Sequence, residues 1–408
     1  MKQMCRDLRM KMFADPGVSI TAIKASDTRI QTQEYGELID FESGCWAAVL
    51  GHNNKQVVQA ITENVKNIFH THQFFDTEHP GALVKELIEA AQLKSSYKGT
   101  FISSGSEAVS LAVTLAELIT GRQRKLSLSI SYLGSSRELR IPRNPAHWMD
   151  LDVSECLNCI KICNCKECGK FNHIDFSQMA AFVFEPGNSG GIVLFPSDKL
   201  ITFLIEEIRY AGGLVIANEV TTGFGRTGKW FGFQHYKAFD SEINAPDLIA
   251  LGKGLGNGYP ISGVLTQSRL AEMIEAGGFR YVQSHIDDPL GCIAARKVIE
   301  VIVNENLIDQ GAKMGEYLRT KLTEIAERTG GIKEIRGRGM MNVAVLDNNH
   351  HVREVFKNLL EKGFFTGYSE VHNFIHLYAP LIIKTEDIDA LCHSLELILK
   401  SNSPSPID

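Results

Sequence analysis

Residues 247–260 read DLIALGKGLGNGYP, which is the most informative stretch of the chain. The short apolar run from Leu248 to Leu251 predicts a buried strand, which ends at Lys253 between two glycines. A charged, unpartnered ammonium would cost on the order of several kcal/mol in an interior. The lysine therefore either turns out to solvent or joins a reaction that removes its charge, such as Schiff-base formation with an aldehyde.

Two other apolar segments end in the same abrupt way. Residues 213–228 read GLVIANEVTTGFGRTG, a strand pattern that runs into polar residues and glycines. Residues 99–102 are strand-like and lead into residues 103–106 (SSGS), which open a helix that stops at Gly121. A Ser-Gly-Ser turn at a helix N-terminus offers free N–H groups and hydroxyls, which suit a phosphate. For this turn alone, a capped helix without a ligand is the alternative.

Together and in this order, the three segments resemble those of the class III aminotransferases, which are fold-type I enzymes that use pyridoxal 5'-phosphate (PLP). Shorter motifs of the same family lie along most of the chain. They are residues 38–44 (LIDFESG), 50–52 (LGH), 184–186 (FEP), 283–285 (QSH), 288–291 (DPLG), 336–339 (RGRG) and 379–381 (APL).

Apolar strand patterns alternate with helical ones from about residue 55 to residue 290, which predicts an α/β fold with a mostly parallel sheet. The resemblance implies a large PLP-binding α/β domain over 55–290, with a cysteine-rich insertion at 154–170. A smaller α+β domain is expected over 291–400, completed by the N-terminal segment 1–54. Residues 401–408 are expected to be a disordered tail.

Composition narrows the class of protein. The chain has 408 residues, of which 44% are hydrophobic and 22% charged, and this length fits two domains. A net charge of −6 without a basic stripe argues against a nucleic-acid partner. No apolar run has the length of a signal-peptide core or a bilayer span, so a cytoplasmic protein without a membrane partner is expected.

The resemblance also implies roles for single residues. Lys253 would form the aldimine with PLP and shuttle a proton during catalysis. Gly105 and Ser106 would hold the phosphate. Ser284 matches the position from which a neighbouring subunit reaches that phosphate, so a homodimer with shared active sites is expected.

The cofactor ring is expected between two side chains. Tyr132 would lie against one face of the pyridine and Val220 against the other, and ring stacking adds about 0.5–1.5 kcal/mol beyond burial. Glu185 would line the same cavity. From the sequence alone, Tyr132 and Val220 are indistinguishable from core residues.

The resemblance also singles out three further positions. Asn218 stands where the family has an aspartate that pairs with the pyridine nitrogen, and an amide brings no counter-charge, so transamination should slow. His376 aligns with an arginine that often clamps a substrate carboxylate, but a strand histidine without that role fits equally well. Trp46 aligns with a segment that forms a pocket wall in the partner subunit, with a core tryptophan as the alternative.

Five of the nine cysteines fall within thirteen residues: Cys156, Cys159, Cys163, Cys165 and Cys168. Two CxxC pairs, Cys156 with Cys159 and Cys165 with Cys168, can complete a tetrahedral S4 site. The spacing therefore predicts a structural metal such as zinc, and the resemblance adds an iron–sulfur cluster as the other candidate. A surface loop of reduced cysteines is the alternative.

The leading functional hypothesis is a PLP-dependent aminotransferase that transfers an amino group from a small amine or amino acid to a 2-oxo acid. The first alternative is a PLP enzyme of the same fold with other chemistry, such as racemisation or elimination, because Asn218 weakens the electron sink. The second is a weakly active or inactive PLP-binding homologue. The presence of Lys253 argues against the second alternative.

Overall fold

The computed structural model describes residues 10, 12, 17–156, 165–188 and 192–401. The strands, in chain order, are β1 (Ala22–Ser26), β2 (Arg29–Thr32), β3 (Gly36–Asp40), β4 (Tyr97–Ile102), β5 (Arg124–Leu128), β6 (Trp148–Leu151), β7 (Met179–Phe184), β8 (Leu214–Asn218), β9 (Leu248–Leu251), β10 (Ser262–Gln267), β11 (Ile332–Arg338), β12 (Met341–Leu346), β13 (Phe364–Phe365), β14 (Gly367–Ser369) and β15 (Phe374–Leu377). The longer helices are α1 (Lys55–Asn64), α2 (His79–Ala90), α3 (Gly105–Thr120), α4 (Asp198–Tyr210), α5 (Ser268–Ala276), α6 (Pro289–Asn304), α7 (Leu307–Thr329), α8 (Val352–Glu361) and α9 (Thr385–Ser401). Shorter helical turns span Ser43–Trp46, Ser154–Cys156, Cys165–Cys168, Phe176–Gln178, Gly232–His235, Lys237–Phe239 and Lys253–Leu255.

A seven-stranded sheet forms the centre of the structure, in the order β4-β10-β9-β8-β7-β5-β6. Strands β9, β8, β7, β5 and β6 run parallel to one another, whereas β10 is antiparallel to both of its neighbours. The mostly parallel sheet predicted from the sequence is confirmed. Because parallel strands end at a common edge, the residues that follow them are brought together there.

Helices cover both faces of this sheet. On one face α3 and α5 pack over the strands, and on the other α2, α4 and α6 do so. This arrangement explains why all six residues of β7, MAAFVF, are buried, since a strand with helices on both faces has no solvated side. Helix α4 buries Leu200, Leu204 and Ile208, one turn apart, in the same core.

Two smaller four-stranded sheets accompany the central one. One has the order β1-β2-β3-β13, so that strands from the start of the chain join one from near its end, and Ile39 lies opposite Phe364. The other is antiparallel in the order β11-β12-β15-β14. The pairing agrees with an N-terminal segment that completes a smaller domain, while the domain limits at 54, 290 and 400 stay predictions.

None of the helices in the described part of the chain combines the length and apolar character needed to cross a bilayer. The tail that was expected to be disordered lies outside the described residues, apart from Ser401 at the end of α9.

Two helical glycines differ sharply in the space around them. A Cβ on Gly315, in α7, would collide with the carbonyl oxygen of Gly339, whereas a Cβ on Gly81, in α2, would meet no atom within 4 Å. We expect Gly315→Ala to lower the free energy of unfolding by about 1–3 kcal/mol through overpacking. Gly81→Ala should raise it by about 0.5–1 kcal/mol, because alanine favours the helix.

Urea unfolding of both variants measures this difference. Equal effects of the two substitutions on the unfolding midpoint would show that α7 does not pack against Gly339 as described.

Candidate active site

The residues that follow three strands, β4, β8 and β9, meet at the carboxyl edge of the central sheet. Asn218, the last residue of β8, pairs with Ala250 of β9. Ala250 lies two residues before Gly252. A Cβ on Gly252 would lie 3.2 Å from Val220 Cγ1 and 3.3 Å from Gly105 Cα. The lysine loop, the start of α3 and the end of β8 are therefore in direct contact, as the common edge of the strands predicts.

Lys253 has a backbone conformation that few non-glycine residues adopt, with φ at 44°. Its Nζ donates a hydrogen bond to Thr221 Oγ1 at 2.7 Å and lies 4.5 Å from the centre of the Trp46 ring. The side chain is partly buried and does not extend freely into solvent. The alternative of a lysine that simply exits to solvent is not what the structure shows.

The surroundings of Lys253 favour its neutral amine. Burial lowers the pKa of the ammonium from 10.5 to about 8, while Cys45, Glu185 and Glu42 act in the opposite direction and Arg226 adds to the lowering. A lysine with this pKa has a substantial neutral fraction near physiological pH. Such an amine can attack a carbonyl carbon.

The start of α3 is built as predicted. Ser104 caps the helix, its hydroxyl accepts from the Glu107 N–H, and the Glu107 carboxylate accepts from the Ser104 backbone in return. Gly105 leaves no room for a side chain, because a Cβ there would lie 2.5 Å from Val220 Cγ1. The hydroxyl of Ser106 accepts from the Ser135 N–H at 3.0 Å. This end of the helix offers N–H groups and hydroxyls beside the lysine loop.

Tyr132, Glu185 and Asn218 are joined by hydrogen bonds through the Tyr132 backbone. The Tyr132 N–H donates to Glu185 Oε2 at 2.9 Å, and the Tyr132 carbonyl accepts from Asn218 Nδ2 at 3.2 Å. Glu185 is buried, whereas the Tyr132 side chain is 44% exposed. A large aromatic side chain is thus presented next to two polar groups of the cavity.

The orientation of the Asn218 amide follows from its partners. The Tyr132 carbonyl can only accept, so the NH2 group must face it, and the Val220 N–H can only donate, so Oδ1 must face that group at 3.3 Å. One Nδ2 hydrogen remains for a further acceptor.

Glu219, the next residue, does not replace the missing carboxylate. Its oxygens accept from Thr222 Oγ1 at 2.7 Å and from the Gly232 and Phe233 N–H groups at 2.8 Å each. Burial raises the pKa of this carboxyl to about 7. Glu219 therefore anchors the following loop.

An aromatic wall stands beside Lys253. The ring of Trp46 lies 4.9 Å from that of Tyr378 and 5.8 Å from that of His376, which is 8% exposed. The indole N–H of Trp46 donates to Glu42 Oε2 at 2.9 Å. The structure places Trp46 against Lys253 of its own chain. Its predicted role as a pocket wall in the partner subunit stays a prediction.

Glu42 is a buried acid in this wall. Burial raises its pKa to about 8, Asp40 raises it further, and the hydrogen bond from Trp46 opposes both. Its other oxygen, Oε1, is buried and has no hydrogen-bond partner among the residues that the structure describes. At neutral pH the carboxyl is therefore mostly protonated and can donate as well as accept.

Arg226 holds the turn that carries Trp46. The guanidinium is fully buried and donates to the carbonyl oxygens of Tyr378 at 3.0 Å and Ala379 at 2.6 Å. It also donates to Ser43 Oγ at 2.8 Å and to the Trp46 carbonyl at 3.4 Å. The wall beside Lys253 is thereby tied to the loop that follows β8.

Ser284 is exposed on the loop before α6. Its neighbour Gln283 lies 3.4 Å from both Ser103 Oγ and Glu107 Oε1, so this loop touches the start of α3 in its own chain. Within the described chain, no hydrogen bond joins Ser284 to Gly105 or Ser106. Its role toward a partner's phosphate stays a prediction.

The cysteine segment is described only in part, because Cys159 and Cys163 lie outside the described residues. Cys156 is packed in the core, and the ligand atoms of Cys156, Cys165 and Cys168 do not all lie within 4.8 Å of one another. The described residues thus give the predicted zinc or iron–sulfur site no support.

The model of the family described as aminotransferase class-III matches residues 13–139 and 141–399. The chain belongs to the class-III aminotransferase family. The predicted family, the fold-type I architecture and the enzyme class are confirmed, and PLP is the cofactor expected of this family.

Relatives of this class-III aminotransferase include more than one activity. An acetylornithine aminotransferase of Archaeoglobus fulgidus is 28% identical over 363 residues, which cover 86% of this chain and 88% of the relative. A leucine/methionine racemase of Thermococcus litoralis is 29% identical over 412 residues, which cover 92% and 90%. The crystal structure of a Bacillus anthracis aminotransferase has a TM-score of 0.87 at 25% identity and covers 98% of both chains.

Sequence reasoning missed four contributors to the site of this class-III aminotransferase. Thr221 bonds Lys253, Ser135 bonds Ser106, Glu42 bonds Trp46, and Tyr378 packs on Trp46. Thr221 and Glu42 lie inside motifs that were recognised, so their polar side chains were the available signal. No sequence pattern indicates that Ser135 and Tyr378 belong to the site, because the geometry of their loops determines where they lie.

The lowered pKa of Lys253 makes the stability of the cofactor-free enzyme depend on pH. Between about pH 8 and pH 10.5 the unfolded chain holds the Lys253 proton and the folded chain does not, so stability rises with pH in this window. Lys253→Met removes the buried ammonium and should stabilise the cofactor-free protein at pH 7 by about 1–3 kcal/mol. The gain should shrink as the pH approaches 10.

Urea unfolding at pH 7 and pH 9.5 checks this expectation. Lys94→Met, at an exposed lysine, is the matched control and should show no such trend. A Lys253→Met gain that is constant with pH would contradict the lowered pKa.

Proposed function

We propose that this chain is a PLP-dependent aminotransferase that moves an amino group from a small amine or amino acid to a 2-oxo acid, with Lys253 as its catalytic residue. The observation that carries the proposal is the Lys253 amine, which is largely withdrawn from solvent, bonds Thr221 and faces Trp46, directly after Gly252, which contacts Val220 and Gly105. A neutral amine in this position can form a Schiff base and can accept a proton.

The residues around Lys253 fit PLP. Gly105 and Ser106 would hold the phosphate at the start of α3, where Gly105 allows the backbone to lie close to Val220. Tyr132 and Val220 would enclose the ring, and Glu185 would order the polar groups beside it. When bound, PLP supplies an aldehyde that takes up the amino group and a ring that withdraws electrons from it.

The chain's own groups then handle protons and substrate. Lys253 Nζ, held by Thr221, would take the proton from the substrate Cα and return it to a neighbouring carbon. Trp46 and His376 would form the substrate wall, in which His376 gives a carboxylate one hydrogen bond at a time. Such a wall favours small substrates with an apolar part over dicarboxylates.

A second candidate function keeps PLP but racemises an amino acid. Two points favour it: the uncharged Asn218 at the position expected to face the ring nitrogen, and a leucine/methionine racemase among the relatives. A racemase returns the proton to the same carbon, so it needs less electron withdrawal by the ring.

The assembly and location remain predictions. A homodimer is expected because Ser284 is exposed near the start of α3 and matches the position that reaches a partner's phosphate. Cytoplasmic location follows from composition alone.

Lys253→Ala tests the proposed function. It should lower transamination of a panel of amines, with 2-oxoglutarate or pyruvate as acceptor, by at least about 1000-fold, because both the Schiff base and the base are lost. Borohydride should fix the cofactor to Lys253 in the native protein and to no residue in the variant. Trapping at another lysine, or amino transfer that survives in Lys253→Ala, would disprove the assignment.

Asn218→Asp tests the electrostatics of the ring nitrogen. The free Nδ2 hydrogen of Asn218 can donate to an unprotonated nitrogen, whereas a carboxylate would stabilise the protonated one. We expect Asn218→Asp to speed the half-reaction with a good amine donor about tenfold, without a matching gain in PLP affinity.

Asn218→Ala is the control and should be slower than both forms, since it removes the hydrogen bond without adding charge. If Asn218→Asp leaves the half-reaction unchanged or slower for every amine, while racemisation of an amino acid is measurable, the second candidate function is the better one.

A further inference from the structure

Two histidines and an aspartate that are not among the residues expected to hold PLP converge in this structure. His70 lies in the segment between α1 and α2, whereas His285 and Asp288 lie in the loop before α6. One ligand atom of each lies within 4.8 Å of the others. Among the residues that the structure describes, no second group of three His, Cys, Asp or Glu side chains meets this spacing.

Both imidazoles face the same carboxylate oxygen. His285 Nδ1 lies 2.9 Å and His70 Nδ1 lies 3.4 Å from Asp288 Oδ2, and the two rings are 4.7 Å apart. A hydrogen bond between His285 and Asp288 explains the first distance. It does not explain why His70, from a distant segment, also directs its Nδ1 at Asp288 Oδ2.

The Asp288 carboxylate is also turned away from its usual partner. Asp288 is the N-cap of α6, where an aspartate normally accepts from N–H groups of the first turn, yet its side chain makes no such bond. Its Oδ1 is buried without a hydrogen-bond partner among the described residues. A buried carboxylate oxygen left without a partner is costly, and a cation at this carboxylate would offset that cost.

We propose that His70, His285 and Asp288 form a binding site for a divalent first-row transition metal such as zinc. Metal–nitrogen and metal–oxygen bonds of about 2.0–2.2 Å require neighbouring ligand atoms to lie about 3.0–3.4 Å apart. The two distances to Asp288 Oδ2 are of this size. Two imidazoles and one carboxylate supply three protein ligands and leave the other positions to water.

Binding requires no net loss of protons from neutral imidazoles. Each Nδ1 that faces Asp288 would coordinate the metal, and the ring proton would reside on Nε2. The metal would connect the segment after α1 to the loop that carries Ser284, next to His285. The site is independent of PLP and of the cysteine segment, whose thiols it does not use.

Zinc titration of the full-length, PLP-loaded protein tests the site. The cysteines that could compete are first removed by Cys156→Ser, Cys159→Ser, Cys165→Ser and Cys168→Ser in one background. We expect one Zn²⁺ per chain by calorimetry and a rise in Tm on adding Zn²⁺. His70→Ala and Asp288→Asn should each weaken binding by at least about tenfold and abolish the rise in Tm.

His72→Ala is the matched control, because His72 is also exposed and lies two residues from His70 but packs on Phe74 outside the cluster. It should bind Zn²⁺ as tightly as the parent, which is the protein that carries only the four cysteine substitutions. Asp288→Asn keeps the size of the side chain, and circular dichroism of the variant separates a folding defect from the loss of a ligand. Equal Zn²⁺ affinity in the parent and His70→Ala, or no binding by the parent, would overturn the proposal.

Discussion

The buried guanidinium of Arg226 is the interaction on which the site depends. It joins the loop after β8 to three other places: the turn at Ser43 and Trp46, the carbonyl of Met340 at the start of β12, and the chain after β15. Burial lowers its pKa only to about 10, so it stays charged at neutral pH. Because a buried charge without acceptors is so costly, these segments cannot separate without a large penalty. The aromatic wall beside Lys253 is a consequence of this one side chain.

The parts of the site that could be predicted are those that depend on the ends of strands. Lys253, Asn218 and the Ser104 cap each follow an apolar run, and the common edge of a parallel sheet brings such positions together whatever their distance in sequence. The family resemblance added Tyr132 and Val220, which have no local signal. The fold followed from the same alternation of strands and helices.

Trp46 shows why the rest could not be predicted. Its turn contains three non-glycine residues with positive φ: Ser43, Cys45 and Trp46. Such backbones are costly in isolation and exist here because Arg226, 180 residues further on, binds the turn. A sequence pattern describes local preference, and this position goes against it. The positive φ of Lys253 is the same kind of exception, found where the chemistry is expected.

Strand β10 gives the lysine loop an unusual kind of support. Since β10 runs antiparallel to β9, with Leu251 opposite Gly263, the chain leaves the sheet before Lys253 and re-enters it at the same edge. The lysine therefore lies at the start of a hairpin loop, two residues beyond the end of β9, and not at the mouth of a long crossover to a helix. Its backbone can shift little, so the reach of the amine is set by rotation of its own four-carbon stem. An amine that is expected to move a proton between two neighbouring carbon atoms benefits from a fixed backbone and a short side chain that can rotate.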